Sequence, residues 1–296
     1  MELYMAITAG LGGMFGWGLA DFFAKKTVGK IDATRTLLWM QFFGIIPLCI
    51  YLIFNWELAR ITPPIIFFLL LLGIGNVSAY LLFYRGLEKG LVSILSPVFA
   101  SQAAVAVLVS AFFFKETIEP VRWIGLTCSF LGIVMVSFQF QGLKELSAKK
   151  LTKGLPEVLA GMLIFGFFFP VWDWFLKYQG QGWVLSTITL RIIAMVFLTI
   201  LIYIVARRKK IQPKIKPEEK NVWTWLILIG LFDALASLFA AWGYRFTTMT
   251  SVVIIFSAAF PLPTIILARI FLKEKLALNQ VIGVAAIVGG LIILAL

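Results

Sequence analysis

The chain has 296 residues, 61% hydrophobic and 14% charged, with a net charge of +12 and no histidine. Soluble globular chains average about 45–50% apolar and about 25% charged residues, so one soluble core cannot hide this much apolar surface. The lack of histidine removes the commonest proton shuttle and metal ligand. Cys49 and Cys128 lie inside apolar runs and suggest neither metal nor redox chemistry.

Apolar runs of membrane-crossing length, about 20 residues, recur along the chain. They predict ten transmembrane helices at 4–23, 34–54, 64–84, 91–113, 121–139, 155–176, 184–205, 223–244, 249–271 and 279–296. Charges fall almost wholly between them. Only helices and closed barrels satisfy backbone polar groups in lipid, and the short alternating strands of a barrel are absent. The first run follows Met1-Glu2 rather than a basic flank, so it reads as a span and not as a signal peptide. It holds Gly12-x-x-x-Gly16, Trp17 and Asp21, with Lys25 just beyond. The second opens on Arg35 and carries Gln41 and Pro47. The third presents Asn76, Tyr80 and Tyr84 as an i, i+4, i+8 stripe, and the fourth contains Pro97 and Gln102. The fifth holds Gly125 and Gly132. The sixth holds Pro170 and Asp173, with Lys177 just past its end. Arg191 lies in the seventh, Asp233 and Ser237 in the eighth, Pro261 and Pro263 in the ninth, and Gly283 and Gly290 in the tenth.

The sequence repeats itself. One offset aligns Ser93 with Ser251, Lys115-Glu116 with Lys273-Glu274, Gly125 with Gly283 and Gly132 with Gly290. A slightly different one aligns Asp21-x-x-x-Lys25 with Asp173-x-x-x-Lys177. The chain therefore divides into a first five-helix unit at 1–142, a basic linker at 143–154 and a second five-helix unit at 155–296. Five is odd, so two consecutive copies enter the membrane from opposite sides. The expected fold class is thus an all-α membrane protein of two inverted five-helix repeats, an arrangement many secondary transporters use, with the substrate site between the halves.

Each unit ends in an apolar helix, Lys-Glu, a short turn and a Gly-containing last helix. Phe15-Gly-Trp17-Gly, Arg35 and Pro97 accompany this pattern. In these features, over nearly its whole length, the chain resembles the EamA branch of the drug/metabolite transporter superfamily. The resemblance implies a metabolite carrier, often an exporter of amino acids or related compounds. The small multidrug members of that superfamily keep a glutamate midway along their first helix. This chain has none there, so their drug-proton exchange is not implied.

Ionisable residues inside spans are costly and mark functional sites by default. Asp233 lies near the middle of its helix with Ser237 one turn on, and reads as a cavity carboxylate for a cationic group or a proton, or as a structural partner of Arg191. Arg191 would clamp a substrate carboxylate through its fork, or pair with Asp233. Trp17, Asn76, Tyr80 and Gln102 complete the expected substrate pathway, with Gln41 a weaker candidate. Asp21 with Lys25, and Asp173 with Lys177, read as surface ion pairs at the membrane edge or as a candidate pair of gates. The tryptophans flanking Asp173 read as interfacial anchors, and the prolines as static bends or flexing points.

The expected function is a secondary transporter, by alternating access, of small metabolites such as amino acids, with proton coupling open. The expected partners are a small-molecule substrate and the bilayer of a cytoplasmic (plasma) membrane, with the protein a monomer or homodimer. No phosphate-binding loop, metal set or nucleotide fingerprint is present, so no cofactor, no ATP drive and no enzyme activity is expected. A channel would carry charge rings or a filter loop, and an enzyme of lipid-linked substrates would carry clustered carboxylates or histidines; neither pattern stands in the sequence. Basic residues are scattered among loops, which argues against nucleic acid. Loops on the N-terminal side hold 5 lysines and arginines and the opposite loops 20. This asymmetry places both termini outside and the 206–222 loop in the cytoplasm, whereas the family resemblance implies cytoplasmic termini. A Lys214→Cys variant should resist a membrane-impermeant thiol reagent in intact cells and react once they are permeabilised; labelling from outside would reverse the orientation.

Overall fold

The computed structural model describes residues 2–55, 62–113, 119–139, 150–179, 182–210, 217, 219–246, 253, 256–257 and 259–294. Among these the long helices are α1 (Glu2–Val28), α2 (Ala33–Phe54), α3 (Pro63–Lys89), α4 (Val92–Ala100), α5 (Gln102–Phe113), α6 (Pro120–Ser137), α7 (Leu155–Gln179), α8 (Trp183–Arg208), α9 (Lys220–Phe246), α10 (Pro261–Phe271) and α11 (Leu278–Leu294). At 27 residues, α1 and α3 reach ~40 Å at 1.5 Å per residue, more than the ~30 Å hydrocarbon core. Among the described residues seven stretches are long and apolar enough to cross a membrane: α1, α2, α3, Val92–Phe113, Leu155–Leu176 of α7, α8 and Lys220–Gly243 of α9. Pro120–Val136, Pro261–Phe271 and Leu278–Leu294 are shorter apolar helices.

Three of the expected elements change shape. The fourth run is two helices, α4 and α5, parted at Ser101. Pro97 cannot donate a backbone hydrogen bond, and the Ser101 amide is drawn to the carbonyls of both Pro97 and Val98 at 3.2 Å. The Ser101 hydroxyl donates to the Pro97 carbonyl at 3.1 Å. Every residue of α4 is buried, whereas Ala104 and Val109 alone are buried in α5. Pro261 and Pro263 do not bend a continuous ninth helix; they stand in the first turn of α10, where a missing N–H costs nothing. The beginning of the ninth predicted run lies largely outside the described residues. The fifth run ends as α6 at Ser137, and Phe138–Gln139 then pairs antiparallel with Lys150–Leu151.

The last residues of the expected linker are thus already tied into the fold. The Thr152 hydroxyl donates to the Val136 carbonyl at 2.7 Å. Gly154 takes φ +78° against the backbone of Gly86, a position where a side chain would meet both strain and a clash. Residues 140–149 lie outside the described set.

The helices of the two halves interleave. α1 packs along α9 and α3 along α7, α2 lies against α8 and α9, and α6 against α11. The α6–α11 crossing is built on small residues, as close packing in lipid requires. A Cβ added at Gly125 would meet the Gly290 carbonyl at 2.7 Å, and one at Gly132 the Gly283 carbonyl at 2.6 Å. The pairing runs antiparallel, and each contact joins a glycine to the sequence counterpart of the other. A Cβ at Gly290 would lie 2.5 Å from the Ser129 hydroxyl and 2.7 Å from the Gly125 carbonyl, while one at Gly289 meets nothing within 4 Å. Gly290→Ala should therefore cost about 1–3 kcal/mol through overpacking, read as a lower thermal unfolding midpoint in detergent, whereas Gly289→Ala should not lower it.

Candidate functional site

Four helices, two from each half, bring a polar cluster together inside the bundle. Arg191 of α8 is 6% exposed, Asp233 of α9 is 4% exposed and Gln41 of α2 is 2% exposed. The Arg191 Nη2 donates to Asp233 Oδ2 in a short ion pair, and Nη1 donates to Gln41 Oε1 at 3.0 Å. Across from α3, the Tyr80 hydroxyl reaches Asp233 Oδ1 at 3.5 Å. The fork of the guanidinium suits this use because it presents several donors in one plane and keeps its charge. Its Nε is buried without a partner among the described residues.

Glycines make room for the cluster. The guanidinium lies over Gly44 of α2, where a Cβ would occupy its space, and Gly230 of α9 packs against the backbone at Gly44 and the Met40 carbonyl. Neither glycine stands out in sequence. Gln41, the weaker candidate there, proves to be a direct partner of Arg191.

The other expected pathway residues are more dispersed. The Ser237 hydroxyl donates to the carbonyl of Asp233 at 2.9 Å; it serves its own helix and not the carboxylate, a common habit of serine in helices. Tyr80 packs edge-on against Phe165 of α7 with centroids 4.9 Å apart. Asn76 is half-buried one turn earlier on α3. Gln102 opens α5 with its Oε1 buried and without a partner among the described residues. Trp17 is half-buried and meets Phe260 edge-on at 6.3 Å.

The two Asp-Lys pairs have different surroundings. Asp21 accepts a hydrogen bond from the Ser96 hydroxyl of α4. Lys25 points elsewhere: its Nζ donates to the carbonyls of Leu87 at 2.5 Å and Gly90 at 2.6 Å, where α3 ends. The expected Asp21–Lys25 ion pair is therefore absent among the described residues, because the free carbonyls of a helix end offer the ammonium a better site. Asp173 is exposed on α7, and the side chain of Lys177 lies outside the described set. Trp172 is buried and stacks on Phe168 at 5.8 Å.

Glu274, aligned with Glu116 in the repeat, crosses to the other half and accepts from the Val92 amide at 3.1 Å, the Ser93 amide at 3.0 Å and the Ser93 hydroxyl at 2.6 Å. It thus caps α4, a carboxylate at a helix N-terminus, where the dipole favours it.

A bundle of apolar helices with a charged network buried between its halves is a polytopic membrane protein of transporter type. The EamA-like transporter family model matches residues 4–138 and 152–296, and the chain belongs to that family. An uncharacterised protein of Methanocaldococcus jannaschii is 30% identical over 122 residues, 41% of this chain and 88% of its own length. That relative is about as long as one half of this chain. A solved crystal structure superposes over 97% of this chain and 95% of its own, with a TM-score of 0.67 and 14% identity, a likeness of fold.

Removing one member of a buried ion pair leaves the other charge uncompensated, at a cost of about 3–5 kcal/mol, while replacing both with apolar groups is close to neutral. Asp233→Leu should thus lower the thermal unfolding midpoint sharply, and adding Arg191→Met should recover a large part of the loss. If the double variant is as unstable as the sum of the singles, the pair does not act as one unit.

Proposed function

We propose that this protein is a secondary transporter that moves small metabolites, amino acids among them, by alternating access across a plasma membrane, with export as the working direction. The observation that carries this reading is the Arg191–Asp233 pair, which belongs to the second half and is hydrogen-bonded by Gln41 and Tyr80 of the first. Polar networks of this kind, buried between two repeats in lipid, are where transporters bind their cargo. When one half rocks against the other, its contacts to Gln41 and Tyr80 must be exchanged. A zwitterion can supply the replacements: its carboxylate for the arginine and its ammonium for the aspartate.

The membrane topology proposed is ten spans, with α4 and α5 forming one, in two inverted repeats. Three observations support it. The family match falls into two segments of similar length. α1 with α9, and α7 with α3, are the same contact with the halves exchanged. In the antiparallel glycine crossing of α6 and α11, Gly125 meets Gly290, the counterpart of Gly132, and Gly132 meets Gly283, the counterpart of Gly125, as a two-fold axis in the membrane plane requires.

Purified protein in proteoliposomes should take up or exchange members of a radiolabelled metabolite panel rich in amino acids, and Arg191→Met should abolish this. A panel without a single transported compound, or transport undiminished by Arg191→Met, would contradict the proposal. Running the panel with and without a pH gradient tests proton coupling in the same experiment.

A further inference from the structure

Asp233 is the mid-membrane carboxylate that the sequence singles out, but its charge is matched by Arg191. Asp21 is a different case. It lies in the bundle on α1, half-buried, with one oxygen on the Ser96 hydroxyl. Among the described residues Ser96 is its hydrogen-bond partner, and no lysine or arginine forms an ion pair with it. Lys25, one turn on, is held by two carbonyls of α3.

The other charged and titratable groups around Asp21 do not compensate it. α9 presents Asp233, with Arg191 of α8 behind it and already engaged. α3 presents Tyr80 and Tyr84, with Glu88 at its end taking the Ala33 amide. On α2, Arg35 pairs with Asp32. Within α10 the charged residue is Arg269, which is exposed, and beyond it Glu274 is spent on α4. α4 carries no charge at all. Asp21, Asp233 and Arg191 together leave one negative charge unmatched.

A buried hydroxyl of another segment lies against the same face of α1. Gly13, Trp17 and Asp21 follow at four-residue spacing and share that face. At Gly13 the backbone abuts Ser257, whose hydroxyl is buried without a partner among the described residues; a Cβ on Gly13 would lie 2.6 Å from it. An unpaired carboxylate in a bundle of this kind is stabilised by a cation or by a proton, and the neighbouring cations are engaged elsewhere. A serine hydroxyl both donates and accepts, so Ser96 can hold Asp21 in either protonation state without moving.

Resting on the transporter reading above, we infer that Asp21 is the residue at which this protein binds and releases a coupling proton, oriented by Ser96, while Asp233 keeps its ion pair with Arg191. The binding step takes one proton from water onto a carboxylate oxygen of Asp21, and release returns it to water on the other side.

Infrared spectroscopy of the purified protein in lipid tests this without a substrate. Surface carboxylates are ionised at neutral pH, so a carbonyl band of a protonated carboxyl there reports a buried acid. The wild type should show this band, Asp21→Asn should lose it, and Asp21→Glu should keep it at a shifted frequency. A wild type without the band, or a band that survives Asp21→Asn, overturns the assignment. If Asp21→Asn does not fold, the frequency shift in Asp21→Glu decides. In proteoliposomes Asp21→Asn should still exchange labelled amino acids at equal pH but lose its response to an imposed pH gradient; loss of both overturns the coupling role. If the wild type moves no amino acid, the substrate reading fails while the infrared result still decides the proton site.

Discussion

The structure depends on one charge that has no cheap place to go. A guanidinium stays ionised under all ordinary conditions, and Arg191 is 6% exposed inside a bundle of apolar helices. Its burial must be offset by partners, and these come from two other helices: Asp233 on α9 and Gln41 on α2. Tyr80 on α3 then reaches the far oxygen of Asp233. Each partner restricts how its helix can rotate and slide. Gly44 and Gly230 let α2 and α9 approach closely enough for the network to close. The polar cluster therefore sets the relation of the two halves at the centre, while apolar packing fixes them around it.

Helices were legible in the sequence because lipid imposes the coarsest of rules, an unbroken apolar run of sufficient length. The two-fold repeat was legible too, in Lys-Glu and in the paired glycines, since such positions are set by close backbone approach. What the runs did not disclose are contacts between distant segments. A 3.6-residue period tells which face of a helix is apolar, not which neighbour it meets. Asp21 and Lys25 have the spacing of a helix pair, yet each has a better partner more than 60 residues away, in Ser96 and in the end of α3. Gln41 and Ser96 looked like ordinary polar residues in spans until the fold placed charges beside them. The break at Ser101 was half-visible: Pro97 announced a disturbance, but its position depends on which carbonyls the Ser101 amide finds.

The halves share a scaffold but not a charge pattern, and the difference has mechanical meaning. The glycine crossing of α6 and α11 is nearly self-complementary, so it constrains both halves alike. The chemistry is lopsided. The first half contributes a neutral amide and a phenol to the cluster, and the second contributes both formal charges. Asp21 is half-buried beside Ser96, whereas its counterpart Asp173 is exposed on α7. In a symmetric pair of repeats, inward-facing and outward-facing arrangements would be equal in energy. Under the alternating-access proposal, unequal charges remove that equality between the two arrangements.

α4 is where contacts from both halves meet. Its first turn is held from two directions: Glu274 of the second half caps its amides, and Lys25 of α1 grips the α3 end just before it. At its other end the helix is interrupted at Ser101, so it is not rigidly continuous with α5. Between these points Ser96 touches Asp21. The hydroxyl that meets the unmatched carboxylate thus stands on a helix that is buried throughout and fixed at its first turn by the other half. Under the proton-site inference above, Ser96 holds Asp21 in both protonation states, so the contact between α1 and α4 persists through binding and release of the proton. The carboxylate of the first half is thereby tied, through one short helix, to the Glu274 cap supplied by the second.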